Sequence, residues 1–173
     1  MNQNSLDHAI IIALGGNLPS LFGGPRDTLA SAVRSLPAEG MAVVSISRWW
    51  RSTAWPDTTL PEYINAVVLV EATLGPLEVL AALHRIEAAH GRIRSDPNAP
   101  RTLDLDLIAH GRTQLQTPTL HLPHPRAADR LFVMGPLAEI APLWRHPASG
   151  RTAAELAAQA SVGRDSCPLA SQG

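Results

Sequence analysis

The order of hydrophobic patterns predicts an α+β fold, with strands and helices following one another as β-α-β-β-α-β. Two observations carry this expectation. Apolar runs rich in Ile and Val, at residues 8–14 and 64–73, are each followed by a stretch with helical spacing that Pro and Gly punctuate. A third run, residues 100–107, interleaves Leu103, Leu105 and Leu107 with Asp104 and Asp106. That period of two separates the faces of a strand and has no meaning on a helix. The order is the split-βαβ, ferredoxin-like pattern, in which both helices cover one face of a four-stranded antiparallel sheet. Its first and third strands run centrally, and the fourth lies beside the first.

Each element has a local reason. Residues 1–7 are polar and read as a frayed end. Residues 8–14 read as a buried strand that stops at Gly15-Gly16-Asn17. Pro25 suits a first helical turn, and Leu29, Val33 and Leu36 continue it at i, i+4 and i+7 until Pro37 and Gly40 end it. Residues 43–49 alternate as a strand, a proline-rich loop spans 52–61, and residues 64–73 form a second long strand. Gly75-Pro76 opens a helix over 77–90 whose stripe reads as Leu77, Leu80 and Leu83, and Gly91 closes it. The strand bearing the two aspartates fades at His110-Gly111. A short hairpin with Leu120 and Leu122, a His124-Pro125 turn, a helix over 133–140 and an amphipathic segment over 152–159 complete the chain. These last helices form a C-terminal extension, and the tail from 161 to 173 reads as flexible.

Of 173 residues, 45% are hydrophobic, enough to fill the core of one domain, centred on residues 8–147, and too few for two large ones. A formal net charge of −1 argues against nucleic acid or an anionic membrane as partner. No apolar run approaches the length of a membrane span, and none has the flanks of a signal peptide. The lone cysteine, Cys167, fits a reducing, cytoplasmic setting. All 14 basic residues are arginine, and six of them (Arg92, Arg94, Arg101, Arg112, Arg126 and Arg130) fall between 92 and 130. Guanidinium forks match phosphate oxygens in planar, two-pronged geometry.

On a strand, Asp104 and Asp106 stand side by side with Cα atoms roughly 6.5 Å apart. Two such carboxylates suit Mg²⁺, which leaves its other positions to water and phosphate. An ordinary solvated face would show the same alternation, but neighbouring carboxylates repel and gain from a cation. Arg92, Arg94 and Arg101 add positive charge for a polyphosphate, the need of phosphoryl-type transfer, or else neutralise the aspartates directly. His124 and Arg130 frame a stiff proline turn that can touch phosphate or ribose. His84 and Glu87 share a helix face at i, i+3, as an ordinary surface pair also would. Trp49, Trp50, Trp55 and Tyr63 lie within fifteen residues, with Asn65 on the strand face of Tyr63. A flat heterocycle asks for such an aromatic plane and for an amide with both donor and acceptor; core packing is the competing reading for the tryptophans.

Five blocks stand in one order: Leu14-Gly15-Gly16-Asn17-Leu18, Tyr63-Ile64-Asn65-Ala66, Ile86-Glu87 with Gly91-Arg92-Ile93-Arg94, Pro100-Arg101-Thr102-Leu103-Asp104-Leu105-Asp106-Leu107, and Leu122-Pro123-His124-Pro125-Arg126. With them the chain resembles the 6-hydroxymethyl-7,8-dihydropterin pyrophosphokinases over roughly residues 9–147. The resemblance implies an enzyme of folate biosynthesis that moves the β,γ-pyrophosphoryl unit of ATP to the pterin hydroxymethyl group and releases AMP. It implies ATP and 6-hydroxymethyl-7,8-dihydropterin as substrates, with two Mg²⁺ ions on Asp104 and Asp106; a monomer is the expectation, although the sequence itself does not show the oligomeric state. Arg92, Arg94, Arg101, His124 and Arg130, with His84 and Glu87 nearby, form the implied ATP side, and Arg92 and Arg101 join the aspartates in catalysis. Tyr63 and Phe132 would sandwich the pterin, Asn65 would bond its edge, and Ser52, Thr53 and Trp55 would complete the pocket. The chain departs from the family pattern at Gly16, where serine is usual and the change is expected to cost little. It departs again at residues 95–99, a short loop without the usual arginine-tryptophan pair. A metal-dependent phosphohydrolase using the same aspartates and a non-catalytic ferredoxin-like binding module are the rival readings.

Overall fold

Strand β1 (Ile10–Gly16) is buried along nearly its whole length, and the sheet is built outward from it. A continuous run of Ile, Ala and Leu, without alternation, is what a strand covered on both faces requires. The computed structural model describes residues 3–54, 57–92 and 100–170. β1 pairs antiparallel with β4 (Tyr63–Glu71) on one side and with β5 (Asp104–His110) on the other. β4 carries both β2 (Ala42–Ile46) and β3 (Trp50–Ser52) on its far side, and β8 (Cys167–Pro168) pairs with β3. β6 (Leu115–Gln116) and β7 (His121–Leu122) form a separate hairpin. The result is a mixed α/β fold on an antiparallel sheet.

Two layers cover the sheet. Helices α2 (Pro25–Ser35) and α3 (Pro76–Ala89) bury Leu29, Ala32, Val79, Ala82, Leu83 and Ile86 against Ile10, Ile12, Leu14, Val68, Leu105 and Leu107. Helices α4 (Leu131–Ile140) and α5 (Ala153–Gln159) pack Val133, Met134, Leu137 and Leu156 against Ile11, Val67, Leu69 and Ile108 on the opposite face. Trp144 is fully buried in this second core.

Several expectations change. Residues 3–8 form a short helix, α1 (Gln3–His8), because Leu6 has a place in the second core. The strand expected over 43–49 stops at Ile46, and a second short strand, β3, begins only at Trp50. Ser47 sits at the break and takes both sides of a backbone pair, its N–H donating to the Val67 carbonyl at 3.0 Å and its Oγ accepting from the Val67 N–H at 3.0 Å. Leu77 is 54% exposed, because the buried stripe of α3 runs through Val79, Ala82, Leu83 and Ile86. Leu36 opens a 3₁₀ turn (Leu36–Glu39) instead of closing the helix before it. The tail expected to be loose beyond residue 160 is hydrogen-bonded to Asp129, Leu131, Trp49 and Thr53. No helix among the described residues is long and apolar enough to cross a membrane.

Candidate active site

At the end where β1 finishes, the α4 side of the sheet carries a row of polar side chains. In register across the strands, Asp104 stands opposite Gly15, Gly15 opposite Asn65, and Tyr63 opposite Ser52. Asp106 stands opposite Ala13. Paired residues share a face, so the two aspartates, Asn65 and Tyr63 all project on the α4 side, while Leu103, Leu105 and Leu107 enter the first core. Between the carboxylates and Asn65, β1 contributes only the small residues Gly15 and Ala13. Asn65 leans over Gly15: a Cβ there would lie 3.4 Å from the Asn65 Oδ1. The Asn65 amide donates to Ser52 Oγ at 3.0 Å, which fixes which way it faces.

The cations converge from three loops. Arg92, just after α3, donates to Glu87 Oε1 and to Asp104 Oδ1. Arg101 donates to Asp104 Oδ2 at 2.8 Å and hydrogen-bonds the Tyr63 phenol. Arg130, the N-cap of α4, acts on Asp106 and lies over the Phe132 ring at 5.6 Å from its centroid. Glu87 is buried and reaches the outer edge of β5, where the Leu105 N–H donates to it at 2.7 Å. It therefore aims Arg92 and locks the strand that bears the aspartates. Its i, i+3 neighbour His84 is exposed on α3.

Electrostatics in this cluster are strained in a useful direction. Burial, reinforced by the charge on Asp104, pushes the Asp106 carboxyl up to about 6, although Arg130, Arg92 and Arg101 pull the other way. Burial raises Glu87 against the opposing pull of the Leu105 N–H and Arg92. Burial also raises Tyr63, against Arg101. His124 is lowered to about 4 by burial and by Arg130 and Arg126, so its imidazole is neutral at physiological pH. Its Nδ1 accepts from the Arg126 N–H at 3.3 Å, which leaves the proton on Nε2 as a neutral donor. The turn before it contains a cis Leu122–Pro123 peptide, and the His124 N–H donates to the Ile108 carbonyl at 2.8 Å.

Asp104, Asp106, Arg92, Arg101, Arg130 and His124 thus form one cluster, with Tyr63, Asn65 and Ser52 beside it. Phe132, at the start of α4, packs against the second core under Arg130. Thr53 is half-buried just past β3. Arg94, Trp55 and the loop over 95–99 lie outside the described residues.

Asn17 is the residue that sequence reasoning passed over as part of a turn. It is 2% exposed and ties three segments together. Its side chain donates to the Pro61 carbonyl at 3.0 Å and accepts from the Arg101 N–H at 2.9 Å, while its own N–H donates to the Arg101 carbonyl at 3.0 Å. Beside it, Gly16 is closed to larger residues, since a Cβ there would come within 2.5 Å of the Thr102 carbonyl oxygen. A serine at this position would therefore shift the backbone ahead of the aspartates. The exposed signal was a Gly-Gly-Asn after a buried strand, which marks only a turn.

Comparison with known proteins places the chain in a family. Residues 11–142 match the family model described as 7,8-dihydro-6-hydroxymethylpterin-pyrophosphokinase. The chain is 43% identical over 153 residues to the 2-amino-4-hydroxy-6-hydroxymethyldihydropteridine pyrophosphokinase of Synechocystis sp., an alignment that spans 88% of this chain and 76% of that protein. It is 36% identical to the protein of the same name from Pseudomonas aeruginosa, over 86% of this chain and 90% of the relative. Among solved structures, that of Plasmodium falciparum HPPK-DHPS with pteroate matches with a TM-score of 0.67 at 11% identity, which shows a shared fold. The match covers 87% of this chain and 42% of that longer one. On the strength of the family match and these relatives, the chain belongs to the 7,8-dihydro-6-hydroxymethylpterin-pyrophosphokinase family.

Proposed function

We propose that this protein transfers the pyrophosphoryl group of ATP to the hydroxymethyl group of 6-hydroxymethyl-7,8-dihydropterin, giving AMP and the pterin diphosphate, a step of folate biosynthesis. The observation that carries the reading is the row across the sheet. Two carboxylates flanked by Arg92, Arg101 and Arg130 stand at one end, and Asn65, Ser52 and Tyr63 stand at the other. The first half suits a polyphosphate and the second a flat, hydrogen-bonding ring. ATP and the pterin are therefore neighbours along one row, and holding two reactants in one orientation removes much of the entropic barrier to transfer.

Asp104 and Asp106 are the residues that would hold Mg²⁺. The donor set fits: two hard carboxylates leave room for phosphate and water. The elevated Asp106 also fits, because a like charge buried beside it is relieved by a cation. Among the described residues no group of three or more His, Cys, Asp or Glu side chains stands together to cage a metal by itself. Two such ions held there would supply charge neutralisation for the phosphates. Arg92, Arg101 and Arg130 take up the negative charge that shifts toward AMP and toward the transferred group as the Pβ–O bond breaks. Neutral His124 donates to a phosphate oxygen through Nε2. Asn65, held by Ser52, orients the pterin edge, while Tyr63 and Phe132 flank its ring and bring the hydroxyl in line with the β-phosphorus. The hydroxyl oxygen bonds to that phosphorus, AMP departs with the former bridging oxygen, and the hydroxyl proton passes to solvent.

The strand order β5-β1-β4, with β2 and β3 read as one interrupted strand beside β4, supports a ferredoxin-like topology with a C-terminal extension. Nothing in the reaction needs a second chain, and its use of ATP suits the cytoplasm. The test is product analysis of the purified protein with ATP, the pterin and Mg²⁺. AMP and pterin diphosphate in equal amounts, lost without either the pterin or the metal, are the expected result. AMP formed equally well without pterin would replace the reading with a phosphohydrolase.

A further inference from the structure

We propose that the segment 161–169 is a brace for the pterin side of the site, and that Asp165 is the positioning residue that sets the backbone at Thr53. The proposal rests on the functional reading above. It concerns residues outside the family match, which ends at residue 142.

One short piece of chain grips both walls of the pocket. At its start it holds α4. The Val162 N–H donates to the Asp129 carbonyl at 3.0 Å, the Leu131 N–H donates to the Val162 carbonyl at 2.9 Å, and Ser161 donates to the Asp129 carboxylate from N and Oγ at 2.9 and 2.8 Å. Gly163 then crosses Phe132. It has φ +69°, and a Cβ there would meet Phe132 Cδ1 at 2.6 Å, so the bare backbone lies against the ring. The loop closes on itself through Ser166, whose N–H donates to the Gly163 carbonyl at 2.9 Å. From there the chain reaches the other wall. Asp165 Oδ2 accepts from the Thr53 N–H at 2.6 Å, Cys167 and Pro168 pair with Arg51 and Trp50, and the Leu169 N–H donates to the Trp49 carbonyl at 2.8 Å.

Phe132 lies on one wall, and Ser52 and Thr53 on the other. Their separation is set by the few residues between Val162 and Asp165. Ser52 orients Asn65, so a shift of β3's end reaches the ring-recognising amide as well. Of the ATP-side arginines, Arg92 and Arg101 come from other loops, while Arg130 bridges Val162 at the start of the segment, away from the Asp165 contact with Thr53. The Asp165 end of the brace therefore acts on the pterin pocket, by preorganising it.

The test is Asp165→Ala in the full chain, with steady-state kinetics for both substrates and calorimetry of pterin binding in the presence of a non-hydrolysable ATP analogue. Pterin KM and Kd should rise about fivefold to tenfold, the size supported by one charge-assisted hydrogen bond near solvent. The ATP KM, kcat at saturating pterin and the melting temperature should stay near wild type. Asp165→Asn keeps an acceptor and should recover most of the loss. Gly163→Ala, which displaces Phe132 without touching Thr53, should also raise the pterin KM. Unchanged pterin parameters in Asp165→Ala overturn the proposal, as does an equal loss for both substrates together with a lower melting temperature. Wild-type protein that makes no AMP from ATP and the pterin overturns the functional reading, and the brace with it.

Discussion

Replacing Asp106 by asparagine should stabilise the metal-free protein, and only at high pH. The folded carboxyl titrates at about 6 against an ordinary 3.8. A raised carboxyl pKa means that the folded state holds its proton more tightly than the unfolded chain does. The cost of ionising Asp106 is therefore absent below about pH 4, grows through pH 4 to 6 and is complete above that. At 1.36 kcal/mol for each pH unit, a rise of about two units amounts to about 3 kcal/mol. Asparagine is nearly isosteric, carries no charge and removes this cost. For a chain of this size, 1 kcal/mol moves the midpoint by about 2–4 °C, so Asp106→Asn should melt about 6–12 °C higher than wild type at pH 8 in EDTA. At pH 4 the difference should nearly vanish. Saturating Mg²⁺ with a non-hydrolysable ATP analogue should raise wild type and leave the variant behind. Scanning calorimetry at pH 4, 6 and 8 reads all of this. A shift independent of pH, or a variant that melts lower at pH 8, would refute the account of Asp106 as a buried like charge awaiting a cation.

Other outcomes follow from the same geometry. Glu87→Ala orphans the buried Leu105 N–H and should cost about 1–3 kcal/mol in urea unfolding, with Glu87→Gln recovering much of it; an unchanged midpoint in Glu87→Ala would contradict its locking role. Arg101→Ala should lower turnover more than pterin affinity, and equal losses would remove its part in charge stabilisation. The His124 imidazole should stay neutral down to about pH 5 by NMR, since its folded value is about 4. Because that value is depressed, its contribution to stability is complete above about pH 6.5 and is lost as pH falls toward 4, and an ordinary titration near 6.5 would refute the burial that lowers it.

The site was legible where chemistry and periodicity coincide. Asp104 and Asp106 could be placed on one face because a strand has a period of two and the leucines between them had to enter the core. Arg92 and Arg101 followed from their nearness in sequence to that strand. Glu87 was harder. On a helix wheel it sits beside His84, and only the depth of α3 against β5 shows that one points inward and the other out. The helix over 131–140 is apolar nearly all round, so its pattern does not say which face of the sheet it covers, and that choice decides where the pocket opens. β8 is two residues long, too short for any alternation, and its pairing with β3 follows from tertiary contacts alone. The phase error at Leu77 has the same origin, because Leu77 and Val79 both continue an apolar stripe and only packing separates them.

The single amide of Asn17 has a thermodynamic corollary. It fastens the backbone of Arg101 and the carbonyl of Pro61 to one point. The segment proposed to meet the nucleotide's phosphates and the loop beside the proposed ring pocket consequently share their freedom of motion. Whichever ligand arrives first immobilises part of what the second would otherwise have to order, so the two should bind with positive cooperativity even without a change of shape.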